Sequence, residues 1–174
     1  MNISVIIPTL NEEEHIENLL TSLNKQTTKV DEIIVVDGNS KDKTQELVKK
    51  SKVKLFVTKR GVGFQRNFGA QKAKGDLLIF LDADTILPRQ FIKNTINEFK
   101  KRKLDYACPK FIPNPKGIMS NILFFLSNAI FYLTQKVQGN GGGPCIFIKK
   151  ELFMKIKFEE SIKFEDIILI RKAI

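Results

Sequence analysis

Residues 77–88 read LLIFLDADTILP, a run of apolar residues that ends abruptly in two carboxylates. The apolar run is typical of a short buried strand, and Asp82 and Asp84 follow it with Ala83 between them. Residues i and i+2 of an extended segment point to the same side. Both carboxylates are therefore expected to face one site, while Ala83 faces the other way.

A divalent cation would explain why a buried strand ends in such a pair. Two neighbouring carboxylates repel each other and raise each other's pKa, and a bound cation removes that cost. Mg²⁺ and Mn²⁺ prefer oxygen ligands and are commonly shared between one or two carboxylates and substrate phosphates. A DxD pattern also arises by chance in solvated turns, and Asp84, Thr85 and Pro88 could simply start the next helix. Taken alone, the pattern favours this second interpretation.

Outward from this strand, apolar runs alternate with segments of helical periodicity over residues 3–103. The alternation predicts a mostly parallel, doubly wound α/β sheet flanked by helices, in which the strands are almost entirely apolar. Asn11 is the expected N-cap of the first helix, and Gly75 is the expected C-cap of the third. The predicted strands are ISVIIP (3–8), EIIVVD (32–37), VKLFV (53–57) and DLLIFLD (76–82), and the predicted helices are NEEEHIENLLTSLNKQ (11–26), SKDKTQELVKK (40–50), GFQRNFGAQKAKG (63–75) and RQFIKNTINEFKKR (89–102).

The second half of the sequence is less regular. The segment 145–156, CIFIKKELFMKI, predicts a strand that runs into a helix, and DYACPKFIPNP at 105–115 predicts a strand before a proline-rich turn. A glycine-rich loop, QGNGGGP, occupies 138–144. The chain ends inside a predicted helix without a stop signal, which suggests a C-terminal truncation. Because no linker or repeat interrupts the sequence, we expect a single domain over residues 1–174.

Polar residues gather where the predicted strands end. In open parallel sheets, ligands bind beyond the carboxyl ends of the strands. Three of the predicted ends carry such residues, namely Pro8, Thr9 and Asn11 after the first strand, Asp37 after the second, and Asp82 and Asp84 after the fourth. This coincidence at one sheet edge is more informative than any single motif.

Composition narrows the classes of partner. The formal net charge is +10 and the pI is about 9.6, which favours anionic partners such as nucleotides or an acidic membrane surface. The basic residues are scattered and no recognition motif is present, so nucleic acid is not an expected partner. Cys108 and Cys145 form no CxxC pair or Cys/His cluster, which argues against zinc. We expect a reducing, cytoplasmic compartment, although one Cys pair could still bridge.

Four stretches of the chain resemble the family 2 glycosyltransferases, which have the GT-A fold. In the expected order they are VIIPTLNEEEHI, IIVVDGNSKDKT, RNFGAQKAKGDLLIFLDADTILP, and GNGGGPCIFIKKELF followed by FEDI. The resemblance implies a nucleotide-binding half at 1–103 and an acceptor-side half at 104–174. It also implies a hexosyltransferase-type enzyme that transfers a sugar with inversion from a nucleotide-sugar donor, usually a UDP-sugar. The second stretch differs from the frequent DDGS form by reading DGNS.

The resemblance assigns the donor site to the first three stretches. It implies that Pro8, Thr9, Glu12 and Glu13 border the nucleotide and that Asp37 accepts a hydrogen bond from the base. Asp82 and Asp84 match the metal and ribose contacts, with Mg²⁺ or Mn²⁺ as the cofactor. A basic side chain from KRGVGFQRN is expected to help hold the nucleotide, and Arg66 is preferred slightly over Arg60. Asn67 and Gly69 match an N-x-G motif that shapes helix packing.

The resemblance assigns the acceptor site to the last stretch. Gly141, Gly142 and Gly143 would line the sugar and acceptor, since glycines allow a close backbone approach. Glu165 and Asp166 match the family's acidic pair, and Asp166 would be the general base that removes the proton of the acceptor hydroxyl. Without the resemblance, the same acidic pair is ordinary at the start of a helix.

An apolar stretch at 118–135 leaves two alternatives open. It is shorter than the roughly 20 residues of a membrane-spanning helix and contains Asn121 and Asn128. Either it packs into the domain, or it lies at the cytoplasmic face of a membrane, where Lys116, Lys136 and the positive net charge would aid adhesion. Peripheral contact would suit a polyprenyl-linked or other lipid-linked acceptor, as opposed to a free saccharide.

Two other function classes compete with the glycosyltransferase reading. A sugar nucleotidyltransferase would carry a glycine-rich, basic loop after the first strand, whereas PTLNEEEH at 8–15 is acidic. A catalytically silent module that binds nucleotide-sugars or adheres to membranes would show no turnover. The sequence favours the enzyme.

Overall fold

The structure is a computed structural model that describes residues 1–109, 122, 123, 125, 126 and 144–158 of the 174-residue chain. The described part contains a single six-stranded sheet with helices on both faces. In chain order its elements are β1 (Ile3–Thr9), α1 (Ile16–Asn24), β2 (Glu32–Asp37), α2 (Thr44–Lys50), β3 (Lys54–Val57), α3 (Val62–Lys72), β4 (Leu77–Leu81), α4 (Phe91–Lys101), β5 (Tyr106–Ala107), β6 (Cys145–Lys149) and α5 (Lys150–Ile156).

The sheet has the strand order β3-β2-β1-β4-β6-β5. β1 pairs in parallel with both β2 and β4, and β2 pairs in parallel with β3. β6 runs antiparallel to both β4 and β5. The predicted α/β fold with a mostly parallel central sheet is therefore confirmed, and the register places Thr9 directly beside Asp37 at the carboxyl edge.

Side chains of the central strands alternate between two hydrophobic clusters, one on each face of the sheet. In β1, Val5 and Ile7 belong to the first cluster and Ile6 belongs to the second. Helices α1, α2 and α4 cover the first face, and α3 and α5 cover the second. Every residue of β1 and β4 is buried, which explains why β4 reads as a continuous apolar run and why β1 is apolar apart from Ser4 and Thr9.

Two expected helix caps are wrong. α1 begins at Ile16, and Asn11 lies outside the helix in the left-handed region with φ +57°, where its side chain accepts a hydrogen bond from the Lys41 amide (2.8 Å). α3 ends at Lys72, before Gly75. Gly75 is required by a close chain approach, because a Cβ there would lie 2.7 Å from the backbone nitrogen of Ser4.

A second glycine brings α3 against the sheet. A Cβ on Gly69 would overlap the Ile6 side chain and lie 3.2 Å from Cγ2 of Val36. A larger residue would therefore push α3 away from β1 and β2, which agrees with the packing role expected for Gly69. This close packing holds the polar residues of α3 at the carboxyl edge.

The apolar stretch at 118–135 falls mostly outside the described residues. Its four described side chains are all exposed, namely Ile122, Leu123, Phe125 and Leu126. Among the helices that the structure describes, none has both the length and the apolar character needed to cross a bilayer.

Candidate active site

Two neighbouring cavities open at the carboxyl edge of the sheet. The larger, of about 780 Å³, is called the carboxylate cavity and is lined by Pro8, Thr9, Leu10, Glu12, Arg60, Gly61, Val62, Gln65, Arg66, Asp82, Ala83 and Asp84. The smaller, of about 370 Å³, is called the basic cavity and is lined by Leu10, Asn11, Gly38, Asn39, Lys41, Thr58, Lys59 and Arg60. Leu10 and Arg60 border both cavities, which therefore lie side by side.

The pair of aspartates lies in the carboxylate cavity. Ala83 is 4% exposed and packs into the core, whereas Asp82 is partly exposed and Asp84 is fully on the surface. The expected extended segment is wrong, because β4 ends at Leu81 and residues 82–85 form a turn in which the Thr85 amide donates to the Asp82 carbonyl (3.1 Å). Both aspartates nevertheless line the same cavity. The amide of Asp82 donates to the Pro144 carbonyl (2.9 Å), which ties this strand end to the segment before β6.

Arg66 is paired with Asp82. Its guanidinium Nη2 donates to Asp82 Oδ1 at 2.7 Å, and its side chain is only 4% exposed. Arg66 also lines the carboxylate cavity, and its expected role in holding the nucleotide stays a prediction. Arg60, the alternative, is exposed and borders both cavities.

Asp37 does not face either cavity. The side chain is fully buried, and its carboxylate accepts four hydrogen bonds, from Thr9 Oγ1 (2.9 Å), the Ser40 amide (2.8 Å), Ser40 Oγ (2.5 Å) and Gln45 Nε2 (2.8 Å). The hydrogen bond expected from the base to Asp37 stays a prediction. In this structure the four bonds hold the loop whose residues Gly38 and Asn39 line the basic cavity.

The residues after β1 divide between the cavity and the neighbouring loop. The Thr9 hydroxyl donates a hydrogen bond to Asp37. Pro8 is buried in the strand and contributes to the cavity wall. Glu12 lines the carboxylate cavity. Glu13 does not line either cavity, and its carboxylate accepts from the Lys43 amide at 2.8 Å. The expectation that Glu13 borders the nucleotide is thus not supported by its position.

Gln65 is a site residue that the sequence analysis missed. Its Nε2 donates to the carbonyls of Thr9 (2.8 Å) and Val36 (2.6 Å). Thr9 is the last residue of β1, and Val36 is the last but one of β2. The side chain is 3% exposed and lies under Gly38. The signal that could have revealed it is the run of three polar residues, Gln65 to Asn67, on a helix that had to pack against an apolar sheet.

The carboxylate cavity fits a divalent cation by its chemistry. Partial burial and, next, the nearby Asp84 carboxylate raise the pKa of Glu12 above its ordinary value, and Asp82 adds to the effect. A cation beside Asp82 and Asp84 would relieve this accumulation of negative charge. Within the described ranges, no three His, Cys, Asp or Glu side chains converge on one point, so the remaining ligands would come from phosphates and water, as is usual for Mg²⁺.

The predicted acceptor-side residues lie outside the described residues. This applies to Gly141, Gly142 and Gly143 and to Glu165 and Asp166. Their roles therefore stay predictions. The described structure ends at Phe158, eight positions before Asp166 in the sequence.

The fold is that of the GT-A glycosyltransferases. TarS of Staphylococcus aureus, a poly(ribitol-phosphate) β-N-acetylglucosaminyltransferase, has been crystallised as residues 1–349 in complex with UDP-GlcNAc. That structure matches 99% of this chain with a TM-score of 0.77 and 26% sequence identity, and the match covers 53% of its own chain.

The sequence comparisons define the family. The model of Glycosyl transferase family 2 matches residues 4–157, and the chain therefore belongs to this family. Two uncharacterized glycosyltransferases of Haemophilus influenzae are similar to it, one 33% identical over 94% of this chain and the other 30% identical over 88%. The chain spans 68% of the length of the first relative and 55% of the second.

Proposed function

We propose that this chain carries the donor site of an inverting, metal-dependent glycosyltransferase that uses a nucleotide-sugar, most simply a UDP-sugar. The observation that carries the proposal is the carboxylate cavity, where Asp82 and Asp84 share one space at the carboxyl edge of a GT-A sheet. The UDP-GlcNAc complex of TarS supports the choice of a UDP-sugar, because TarS shares the fold over nearly the whole chain.

The two cavities suggest how the donor lies. The diphosphate is assigned to the carboxylate cavity, beside Asp82 and Asp84, and the nucleoside to the basic cavity. Arg60 stands where the cavities meet and is the basic residue best placed to bind phosphate. Each cavity, at about 780 Å³ and about 370 Å³, has the size of an ordinary ligand site, which is roughly 300–1,000 Å³.

The reaction is a direct displacement at the anomeric carbon. A bond forms from the acceptor oxygen to that carbon while the bond to the donor phosphate oxygen breaks, so the configuration inverts. Asp166 takes the proton of the acceptor hydroxyl as the oxygen attacks. A divalent cation, Mg²⁺ or Mn²⁺, held by Asp84 and Asp82 would supply Lewis-acid stabilisation of the negative charge on the departing diphosphate.

The acceptor is proposed to be a saccharide or a polyprenyl-linked or other lipid-linked group. Support comes from the stretch 118–135, where all four described side chains are large, apolar and exposed, Phe125 at 73%. Peripheral contact between this stretch and an acidic membrane surface is favoured by the net charge of +10. Such contact would place the acceptor beside the donor site at the cytoplasmic face.

The donor proposal is tested by thermal shift with a panel of UDP-, GDP- and dTDP-sugars, with and without Mn²⁺. A donor present at about 100 times its Kd stabilises the folded protein by about 2.7 kcal/mol through mass action. We expect a rise in Tm that requires the metal and that Asp84→Asn abolishes. Asp105→Asn is the matched control, because Asp105 is exposed, pairs with Lys149 and lies outside both cavities.

Two outcomes would contradict the proposal. One is the absence of a Tm rise with any donor plus metal, and the other is an undiminished, metal-dependent rise in Asp84→Asn. Turnover then separates an enzyme from a silent binding module. Asp166→Asn should keep the Tm rise and lose donor hydrolysis or transfer, whereas a module that only binds would show no turnover in any variant.

A further inference from the structure

Helix α3 carries three consecutive buried polar side chains that reach three different parts of the fold. Gln65 binds the ends of β1 and β2, Arg66 binds Asp82 beyond β4, and Asn67 binds Phe158 beyond α5. The three are between 3% and 5% exposed. Gln65 and Arg66 line the carboxylate cavity, whereas Asn67 and Phe158 do not.

The contact between Asn67 and Phe158 is reciprocal. Nδ2 of Asn67 donates to the Phe158 carbonyl at 3.0 Å, and the Phe158 amide donates to Oδ1 of Asn67 at 2.9 Å. One side-chain amide thus pairs with both backbone groups of one residue, across 91 positions of sequence. This arrangement fixes the backbone of Phe158 and hence the direction of its side chain.

The ring of Phe158 packs against the guanidinium of Arg66. The guanidinium carbon lies 5.1 Å from the ring centroid, within the range of a cation–π contact. The ring is itself held by Phe80 of β4 at 5.0 Å and by Phe153 of α5 at 5.4 Å. Arg66 is therefore placed between an aromatic ring and the Asp82 carboxylate.

We propose that Asn67 and Phe158 are positioning residues for Asp82, acting through Arg66. The inference rests on the proposed function, in which Asp82 helps to hold the metal and the donor diphosphate. The ring of Phe158 keeps water from the buried side of the guanidinium, so that the ion pair with Asp82 is weakly screened and has one geometry. Asp82, 38% exposed, takes its orientation from that pair.

Substitution of Phe158 with leucine tests the inference, because it removes the ring and keeps an apolar side chain. Phe153→Leu is the matched control: it removes a ring from the same cluster, equally buried, that contacts Phe80 and Phe158. The readouts are the dissociation constant of UDP at saturating Mn²⁺ and the activation constant for Mn²⁺ at fixed UDP. Both are measured at a temperature well below the Tm of each variant.

We expect Phe158→Leu and Asn67→Ala to weaken UDP–Mn²⁺ binding by about 5-fold to 30-fold, and Phe153→Leu by no more than about 2-fold. All three substitutions are expected to lower the Tm, because each removes part of a buried side chain. A purely structural role would predict this loss of stability without the difference in UDP–Mn²⁺ binding between the variants. If Phe158→Leu does not fold, Phe158→Met carries the same comparison, because the flexible methionine side chain adapts better to the space that the ring leaves.

A double-mutant cycle with Arg66→Ala tests the route of the effect. Once Arg66 is absent, Phe158→Leu should weaken UDP–Mn²⁺ binding no further. Equal losses of affinity in Phe158→Leu and Phe153→Leu, or an undiminished loss without Arg66, would overturn the inference. Failure of the wild-type chain to bind UDP and Mn²⁺ at all would instead overturn the proposed function.

Discussion

Glu32, the first residue of β2, shows how one residue can make the stability of this protein depend on pH. It lies at the amino edge of the sheet, opposite the two cavities, with its side chain 9% exposed. Burial alone would raise its pKa, but hydrogen bonds from Lys54, the Lys74 amide and Ser4 outweigh burial and hold the pKa at about 2, below the usual 4.5. The charged form is thus favoured in the folded state.

The shift has a definite sign for stability. Because the folded pKa lies below the unfolded pKa, Glu32 contributes its stabilisation fully above about pH 4.5 and loses it as the pH falls towards 2. We expect Glu32→Gln to be less stable than the wild type at pH 7 and the difference to shrink below pH 4.5, as measured by urea unfolding across pH. Glu98→Gln, at an exposed position of α4, is the control.

A constant difference between wild type and Glu32→Gln from pH 7 to pH 2 would contradict this account. So would a larger difference at low pH, because it would mean that the folded state favours the protonated carboxyl.

At this scale the sequence predicted positions better than partners. The apolar run before Asp82 and Asp84 predicted that both follow a buried strand, whereas the turn over residues 82–85 was not predicted. The hydrogen bonds that Asp37 accepts from Thr9, Ser40 and Gln45 could not be predicted from the sequence, because only the fold brings these residues together. The ion pair between Arg66 and Asp82 was not predictable for the same reason, since nothing in the local sequence reveals which arginine pairs with a given carboxylate.

At the scale of elements, the loop after β1 and the loop after β2 are joined into one unit. Five hydrogen bonds cross between residues 11–13 and 40–44, namely Asn11 N to Ser40 Oγ, Lys41 N to Asn11 Oδ1, Glu12 N to Thr44 Oγ1, Glu13 N to Asp42 Oδ2 and Lys43 N to Glu13 Oε2. The unit carries Glu12 of one cavity and Asn39 of the other, so its integrity sets their spacing.

Thr44 is the test of this unit. Its buried hydroxyl accepts the Glu12 amide at 2.8 Å and donates to Asp42 at 2.5 Å. Thr44→Val keeps the shape but leaves both groups without this partner, so we expect a loss of about 1–3 kcal/mol in the free energy of unfolding. Thr44→Ser retains the hydroxyl and is the control. Urea unfolding of both variants makes the comparison, and equal stability of Thr44→Val and wild type would refute it.

The elements themselves were largely predictable. All four strands of the first half and the strand–helix segment at 145–156 appear where their apolar patterns place them, because burial on both faces leaves little choice of residue. The helix ends were not predictable. Asn11 and Gly75 have the residue types of caps, but the first binds a neighbouring loop and the second allows two chain segments to meet.

At the scale of the whole molecule, charge and exposed apolar surface act together. A net charge of +10 attracts the chain to any anionic surface, and each Lys or Arg near an acidic membrane contributes about 1 kcal/mol. The exposed side chains of 122–126 that the structure describes would add apolar burial at the interface. The proposed membrane contact depends on both the electrostatic attraction and the burial of these apolar side chains.

Cosedimentation with vesicles tests this contact. We expect the protein to bind vesicles of mixed phosphatidylserine and phosphatidylcholine at low salt, and binding to weaken as salt shortens the Debye length to about 10 Å at 0.1 M. Phe125→Glu should reduce binding several-fold, whereas Met154→Glu, which alters an exposed residue of α5 outside the stretch, should not. Equal binding to pure phosphatidylcholine, or no effect of Phe125→Glu, would contradict the contact.

The placement of β6 has a consequence for biogenesis. β6 lies between β4 and β5 in the sheet, yet it is synthesised after both of them. A ribosome adds about 5–20 residues per second, so for some seconds the nascent chain presents β4 with one hydrogen-bonding edge unfilled. An open apolar edge is a template for aggregation until a late-arriving strand closes it. We therefore expect the nascent chain to be more prone to aggregation in this interval than a sheet assembled in chain order would be.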